Sequence, residues 1–252
     1  MKSRVRILNG MFDTFTLQET VTAVFAGLAS KTSGWLCTVN VSTLMAMRRD
    51  PALQAFVERA SIVVADGQPL VWCAPLFGGD LPERVTGIDL ADALCQRAAA
   101  EGVGVYLLGS TPPLLDKALE RLRSRHPALR IDGADGYFAA HSAESRADAV
   151  RTSGAAILLV GMGSPLQEAF IARHWDRLGV RMAIGVGGSF DVLAGARVRA
   201  HPWLQRAGLE WAVRLVQEPR RLLPRYLVTN TFFCLLIAEA VMVRLKHWIR
   251  TS

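Results

Sequence analysis

Signatures that would assign a chemistry outright are missing from this 252-residue chain. It has no GxxxxGK[ST], so the phosphate-cradling loop of a P-loop nucleotidase is excluded. The GxGxxG of a dinucleotide-binding turn is incomplete: Leu166 stands where the third glycine would follow Gly161 and Gly163, and Phe190 where it would follow Gly185 and Gly187. The absence of GxSxG argues against a hydrolase elbow. No DxD carboxylate pair is present to hold a divalent ion on a diphosphate. Cys37, Cys73, Cys95 and Cys234 are scattered, with no CxxC and no Cys/His spacing of a zinc site, so they read as buried thiols in a reducing compartment. Basic residues near Met1 are not followed by an apolar stretch of signal-peptide length, so the body is expected to stay in the cytoplasm.

With 51% hydrophobic and 20% charged residues, the chain has the composition of a globular protein. Its net charge is +7 and is unevenly placed. Residues 197–252 hold ten Lys/Arg and three Glu, while 1–196 are neutral. Such a basic segment suits phospholipid, diphosphate or nucleic acid, or is simply a solvated helix.

Short Val/Ile/Leu-dense runs at 35–39, 61–65, 103–108, 155–160 and 181–186, with a weaker one near 129–132, read as strands covered on both faces. Helical patterns occupy 17–30, 43–60 (broken at Pro51), 87–101, 112–125, 143–153 and 166–178. The alternation implies an α/β, Rossmann-like, mostly parallel sheet with helices on both faces over residues 1–196. Residues 197–252 read as a helical C-terminal appendage. An amphipathic helix is expected over 203–218, an interruption at Pro219, and a second helix over 220–249. The uncharged centre of that second helix, Tyr226 to Ala238, is 13 residues long. A spanning helix wants about 20 apolar residues, so a helix lying in the membrane interface is expected, with burial in a homo-oligomer as the alternative.

Ligands of open parallel sheets bind beyond the carboxyl ends of the strands. The residues there are polar or glycine-rich: Thr38 and Asn40, Asp66-Gly67, Gly109-Ser110-Thr111, Gly161 to Glu168, and Gly187 to Asp191. Glycine lets a ligand approach the backbone, and helix N-termini favour anions, so a phosphorylated ligand fits. Gly and Ser also serve such turns for steric reasons alone.

Several longer patterns converge: Gly161-x-Gly-x-Pro165-x-Gln167-Glu168; Gly185-Val-Gly-Gly188-x-Phe190-Asp191-x-x-Ala194-Gly195; Arg199-Ala-x-Pro202-Trp203; Gly208-Leu-Glu-Trp211-x-x-Arg214; Glu218-Pro219-x-Arg221; and Arg225-Tyr226. With Thr38-x-Asn40, Ala65-Asp66-Gly67 and Arg84-Val-x-Gly87-x-Asp89 upstream, the chain resembles the WecG/TagA/CpsF glycosyltransferases over roughly residues 5–230. The resemblance implies an inverting, metal-independent transferase with no cofactor. It would move glucose, N-acetylmannosamine or its uronic acid from a UDP-sugar to a polyprenyl diphosphate-linked sugar in bacterial surface or exopolysaccharide synthesis. The implied partners are those two substrates and the membrane surface, without nucleic acid. The implied location is the cytoplasmic face of the inner membrane, held peripherally (monotopic).

On that reading Asp66 is the general base, with capping of the next turn as its other role. Thr38 and Asn40 bind donor or acceptor, or cap a helix. Gln167 binds a sugar hydroxyl, or is a solvated first-turn residue. Gly109, Gly161, Gly163 and Gly187 pass close to the nucleotide. Arg84, Arg214, Arg221 and Arg225 meet the diphosphates, or sit at the surface among lipid headgroups. Arg214 and Arg221, seven residues apart, would share a helix face if Pro219 allows it. Two other classes are set beside this one: a nicotinamide- or flavin-dependent oxidoreductase on a doubly wound sheet, and a non-catalytic membrane scaffold.

Overall fold

A run such as Ile157–Gly161 has no polar face, so it must be covered on both sides. The computed structural model describes residues 3–251, apart from the side chains of Pro202, Arg206, Arg221 and 244–251. It meets that need with a six-stranded sheet made of β3 (Gly34–Val39), β4 (Ile62–Ala65), β5 (Val105–Gly109), β6 (Ile131–Ala134), β7 (Ile157–Gly161) and β8 (Met182–Gly185). The order is β4-β3-β8-β7-β5-β6 and every neighbouring pair is parallel. Alternate strand residues feed two cores. Leu36, Leu107 and Leu159 join the side chains of α1 (Leu17–Ala29), α5 (Gly87–Glu101), α6 (Pro112–Arg125) and α9 (Ser189–Leu193). Cys37, Leu108 and Val160 join those of α2 (Val41–Met47), α3 (Pro51–Glu58), α7 (Ala143–Thr152) and α8 (Leu166–Leu178).

Helix starts follow from local chemistry. Thr16 and Glu19 form a capping box on α1, Asn40 caps α2, Asp50 ahead of Pro51 caps α3, and Thr86 caps α5. Four elements fall outside the sequence expectations: the antiparallel hairpin of β1 (Arg4–Ile7) and β2 (Gly10–Asp13), α4 (Gln68–Cys73), and α9. All are short, from four to six residues, too few to show a period.

The C-terminal segment departs from expectation in two ways, at Gly208 and in the apolar length of its last helix, while the expected interruption at Pro219 is present. The helix expected over 203–218 is two, α10 (Pro202–Arg206) and α11 (Glu210–Gln217), because Gly208 turns the chain at φ +72°. Pro219 opens α12 (Pro219–Thr251) at its first position, where a missing N–H costs nothing. Arg214 and Arg221 therefore lie on different helices. In α12 the stretch Leu222–Val243 is 22 residues long and apolar enough to cross a membrane once Arg225 and Glu239 are admitted, a longer stretch than its uncharged centre suggests. Its inner side packs on α2, with Phe233 buried in the core, while Cys234 is exposed, unlike the three buried cysteines.

Strand β4 is a sheet edge, and the hairpin packs beside it and bonds its backbone through a side chain. The carboxylate of Asp13, on β2, accepts the Val63 N–H at 2.9 Å and Arg4 Nε at 2.7 Å. Asp13→Ala leaves that buried N–H without a partner and is expected to lower the unfolding free energy by about 2 kcal/mol, read by urea denaturation at unchanged slope. A loss below about 0.5 kcal/mol would show that the edge does not need this bond.

Candidate active site

Beyond β5 the chain runs through α6 outward to β6, whereas beyond β7 it runs through α8 the opposite way to β8. The two connections diverge and leave a crevice at the carboxyl ends of the strands. A cleft of about 780 Å³ opens there, walled by the strand-end turns on one side and by α11 and α12 on the other.

The strand-end turns are braced from within. Gly185 has no Cβ, and a Cβ there would collide with the Gln167 amide. Gln167 fills that space, 5% exposed, and its Oε1 accepts the Gly187 N–H at 3.0 Å. Its Nε2 donates to Glu168 Oε1 at 2.9 Å. Gln167 is thus neither solvated nor free, and it sets the left-handed turn at Gly187 (φ +55°). Burial raises the Glu168 carboxyl, against the hydrogen bond from Gln167. Thr38 Oγ1 donates to the Gly185 carbonyl at 3.1 Å, tying β3 to β8. Asn40 Oδ1 accepts the Thr43 N–H at 3.0 Å as the cap of α2. Thr38, Asn40 and Gln167 line the cleft together with Gly161, Gly163 and Gly187. Gly109 lies behind them, packed against the backbone of Gly161 and Gly136, and Ser110 reaches the cleft in its place.

Asp66 follows β4, half-buried in the cleft wall, and its N–H donates to the Val39 carbonyl at 2.9 Å. Burial pushes its carboxyl up to about 6. Arg214 and Arg84 pull it down, Glu210 pushes it up, and the Gly87 N–H at the first turn of α5 pulls it down. The capping role is not the one its side chain takes: α4, which follows, has no side-chain cap.

Glu210, 6% exposed at the start of α11, gathers the arginines. Its Oε2 meets Arg84 Nη1 at 2.7 Å, and its Oε1 lies 3.6 Å from Arg214 Nη2 and 3.8 Å from Arg199 Nε. Arg199 grips Asp89 with two bonds of 2.6 and 2.5 Å. Burial alone would raise Asp89, but those bonds and the Thr86 hydroxyl hold it below the usual carboxylate range. Arg197 bridges Asp191 (3.1 Å) and Glu218 (2.5 Å), and Asp191 accepts the Ser110 hydroxyl at 2.9 Å. Arg225 lines the cleft with its guanidinium 5.5 Å from the Tyr226 ring centre.

Of the four arginines expected at the site, Arg214 and Arg225 reach the cleft. Arg84 stands behind it, bound to Glu210, and the Arg221 side chain lies outside the described residues. Arg197, Arg199 and Glu210 line the cleft without having been singled out. Arg199 and Glu210 do belong to sequence patterns that carry the resemblance. Among the described residues no three His, Cys, Asp or Glu side chains converge as metal ligands would.

A protein-family model described as "Glycosyl transferase WecG/TagA/CpsF family" matches residues 5–247.

The raised Asp66 carboxyl has a stability consequence. Its ionised form is disfavoured in the folded state, so its contribution is favourable below the unfolded value near 4 and is lost as pH rises through about 6. Asp66→Asn removes that cost. It is expected to be more stable than the parent by about 3 kcal/mol near pH 8, with the difference vanishing below about pH 4, as read from thermal unfolding across pH. A difference that does not change with pH would contradict the desolvated carboxyl.

Proposed function

This chain belongs to the WecG/TagA/CpsF family of glycosyltransferases, matched over nearly its whole length, and from that premise we propose that it transfers a sugar from a UDP-sugar to a polyprenyl diphosphate-linked sugar at the membrane. Family membership makes it a transferase, which replaces the oxidoreductase and scaffold readings. The observation that carries the finer reading is Asp66, a half-buried carboxylate with its carboxyl near 6 at the carboxyl edge of the sheet.

In the proposed reaction Asp66 takes the proton of the acceptor hydroxyl as its oxygen attacks the anomeric carbon. The bond from that carbon to the diphosphate oxygen breaks on the opposite face, so the configuration inverts. The electron pair leaves on UDP, and the charge gathering there is met by Arg214 and Arg225 from the C-terminal helices, with Arg197 and Arg199 beside them. The backbone at Gly161, Gly163 and Gly187 allows the nucleotide close approach. Thr38, Asn40, Ser110 (reached through Gly109) and Gln167 hold the turns that contact both sugars. Arg84 acts through Glu210, by fixing where Arg214 lies. Arg221 is placed with the diphosphate-binding group on its sequence position alone.

Residues 1–196 form the catalytic core in this reading, and 197–252 form a basic appendage that rests on anionic lipid at the cytoplasmic face of the inner membrane. The +7 charge of that segment supports the assignment. The donor sugar is glucose, N-acetylmannosamine or its uronic acid, and the product feeds surface or exopolysaccharide synthesis.

The test is UDP release from a panel of UDP-sugars with a short-chain polyprenyl diphosphate sugar. Release is expected only with acceptor present, and it should survive EDTA. Asp66→Asn is expected to lower kcat by about a thousandfold while retaining UDP binding. In the parent, kcat should fall on the acid side below about pH 6, where the base is protonated. An Asp66→Asn enzyme within about tenfold of the parent would remove the base. Donor turnover that needs a divalent ion would remove the metal-independent mechanism.

A further inference from the structure

Helix α12 is apolar on two sides at once. Leu222 and Phe233 are buried on its inner side, while Leu223, Leu227, Leu235 and Met242 are exposed on its outer side. A helix resting on a water-facing surface would be polar there. The exposure does not stop at α12. At the end of α4 Trp72 is 59% exposed, and Leu76, about one turn further in the Ala74–Phe77 segment, is 42% exposed.

Both adjoin the C-terminal segment. The Trp72 ring edge lies against Gly208, where a Cβ would come within 2.9 Å of Cζ2. Gly208 joins the helices that carry Trp203 and Trp211, which are also exposed. Leu76 and Phe77 face Leu236, Ala240 and Val243 of α12 across a crevice of about 420 Å³. Exposed apolar side chains therefore run from the core onto the basic segment, with Arg48 and Glu239 also lining the crevice between them. Its tryptophans match a headgroup boundary and its surplus charge matches anionic lipid.

We propose that Trp72 and Leu76 of the core share one lipid-facing surface with α10, α11 and α12, so that the bilayer touches the core itself. Because α4 begins two residues after Asp66, this contact fixes how the cleft faces the membrane. The inference rests on the membrane partner proposed above and adds a core element to it.

The test is flotation of the full chain with mixed phosphatidylethanolamine and phosphatidylglycerol vesicles, comparing the parent with Trp72→Ala and Leu76→Gln. Trp72→Ala is expected to weaken vesicle binding about tenfold and Leu76→Gln severalfold, with unfolding midpoint and UDP binding unchanged. Bromine-labelled acyl chains should quench the parent more than Trp72→Phe. If Trp72→Ala fails to fold, Leu76→Gln and the quenching difference decide. If the parent binds but both foldable variants match it, or quenching does not differ, the core contact is overturned and the membrane reading stands. If the parent does not bind vesicles, the membrane reading itself falls and takes this inference with it.

Discussion

A desolvated carboxylate facing arginines that a second carboxylate holds in place is the constraint on which this cleft depends. Asp66 cannot ionise there without cost, and Glu210 adds negative charge beside it. Glu210 is itself nearly inaccessible, and a buried ion left without its partner is destabilising by several kcal/mol. Arg84 answers Glu210 from the core side at 2.7 Å, and Arg199 and Arg214 answer from the C-terminal side. The cluster is close to balanced in charge, so the arginines are present in the cleft without making Asp66 permanently ionised.

The same contacts explain why the core and the C-terminal helices form one wall. Glu210 belongs to α11, yet its shortest ion pair is to Arg84 ahead of α5. Arg199 reaches back to Asp89, and Arg197 links Asp191 and Ser110 to Glu218. Each link crosses from the core to the segment that follows Gly195. Few of these bonds would be chosen for stability, since buried ion pairs often do no better than packed apolar side chains. Their value lies in orientation: they hold guanidinium groups at defined places beside a half-buried carboxylate.

The sheet was legible because its strands are buried on both faces, and such strands announce themselves as unbroken Val/Ile/Leu runs, as at 157–160. Their carboxyl ends were legible as well, because Gly161, Gly187 and Asp66 interrupt those runs with residues that strands avoid. The hairpin at Arg4–Asp13 was not, because four-residue strands carry no readable period. The split at Gly208 was hidden by an apolar pattern that continues through it. The bracing role of Gln167 was not legible, neither as a sugar ligand nor as a solvated residue, because nothing local says that Gly185, 18 positions later, vacates the space it occupies. The arginines illustrate the same limit. Sequence placed positive charge in the C-terminal segment, but which guanidinium groups reach the cleft depends on long-range partners such as Glu210 with Arg84, 126 residues apart.

The most direct measurement is a carbon-13 NMR titration of the Asp66 side-chain carboxyl in the free protein, repeated with Glu210→Gln. The predicted midpoint is about 6 in the parent and lower in the variant, where the neighbouring negative charge is gone. A parent midpoint near the ordinary aspartate value of about 4, or one that Glu210→Gln leaves in place, would contradict a carboxyl tuned by burial and by this charge cluster.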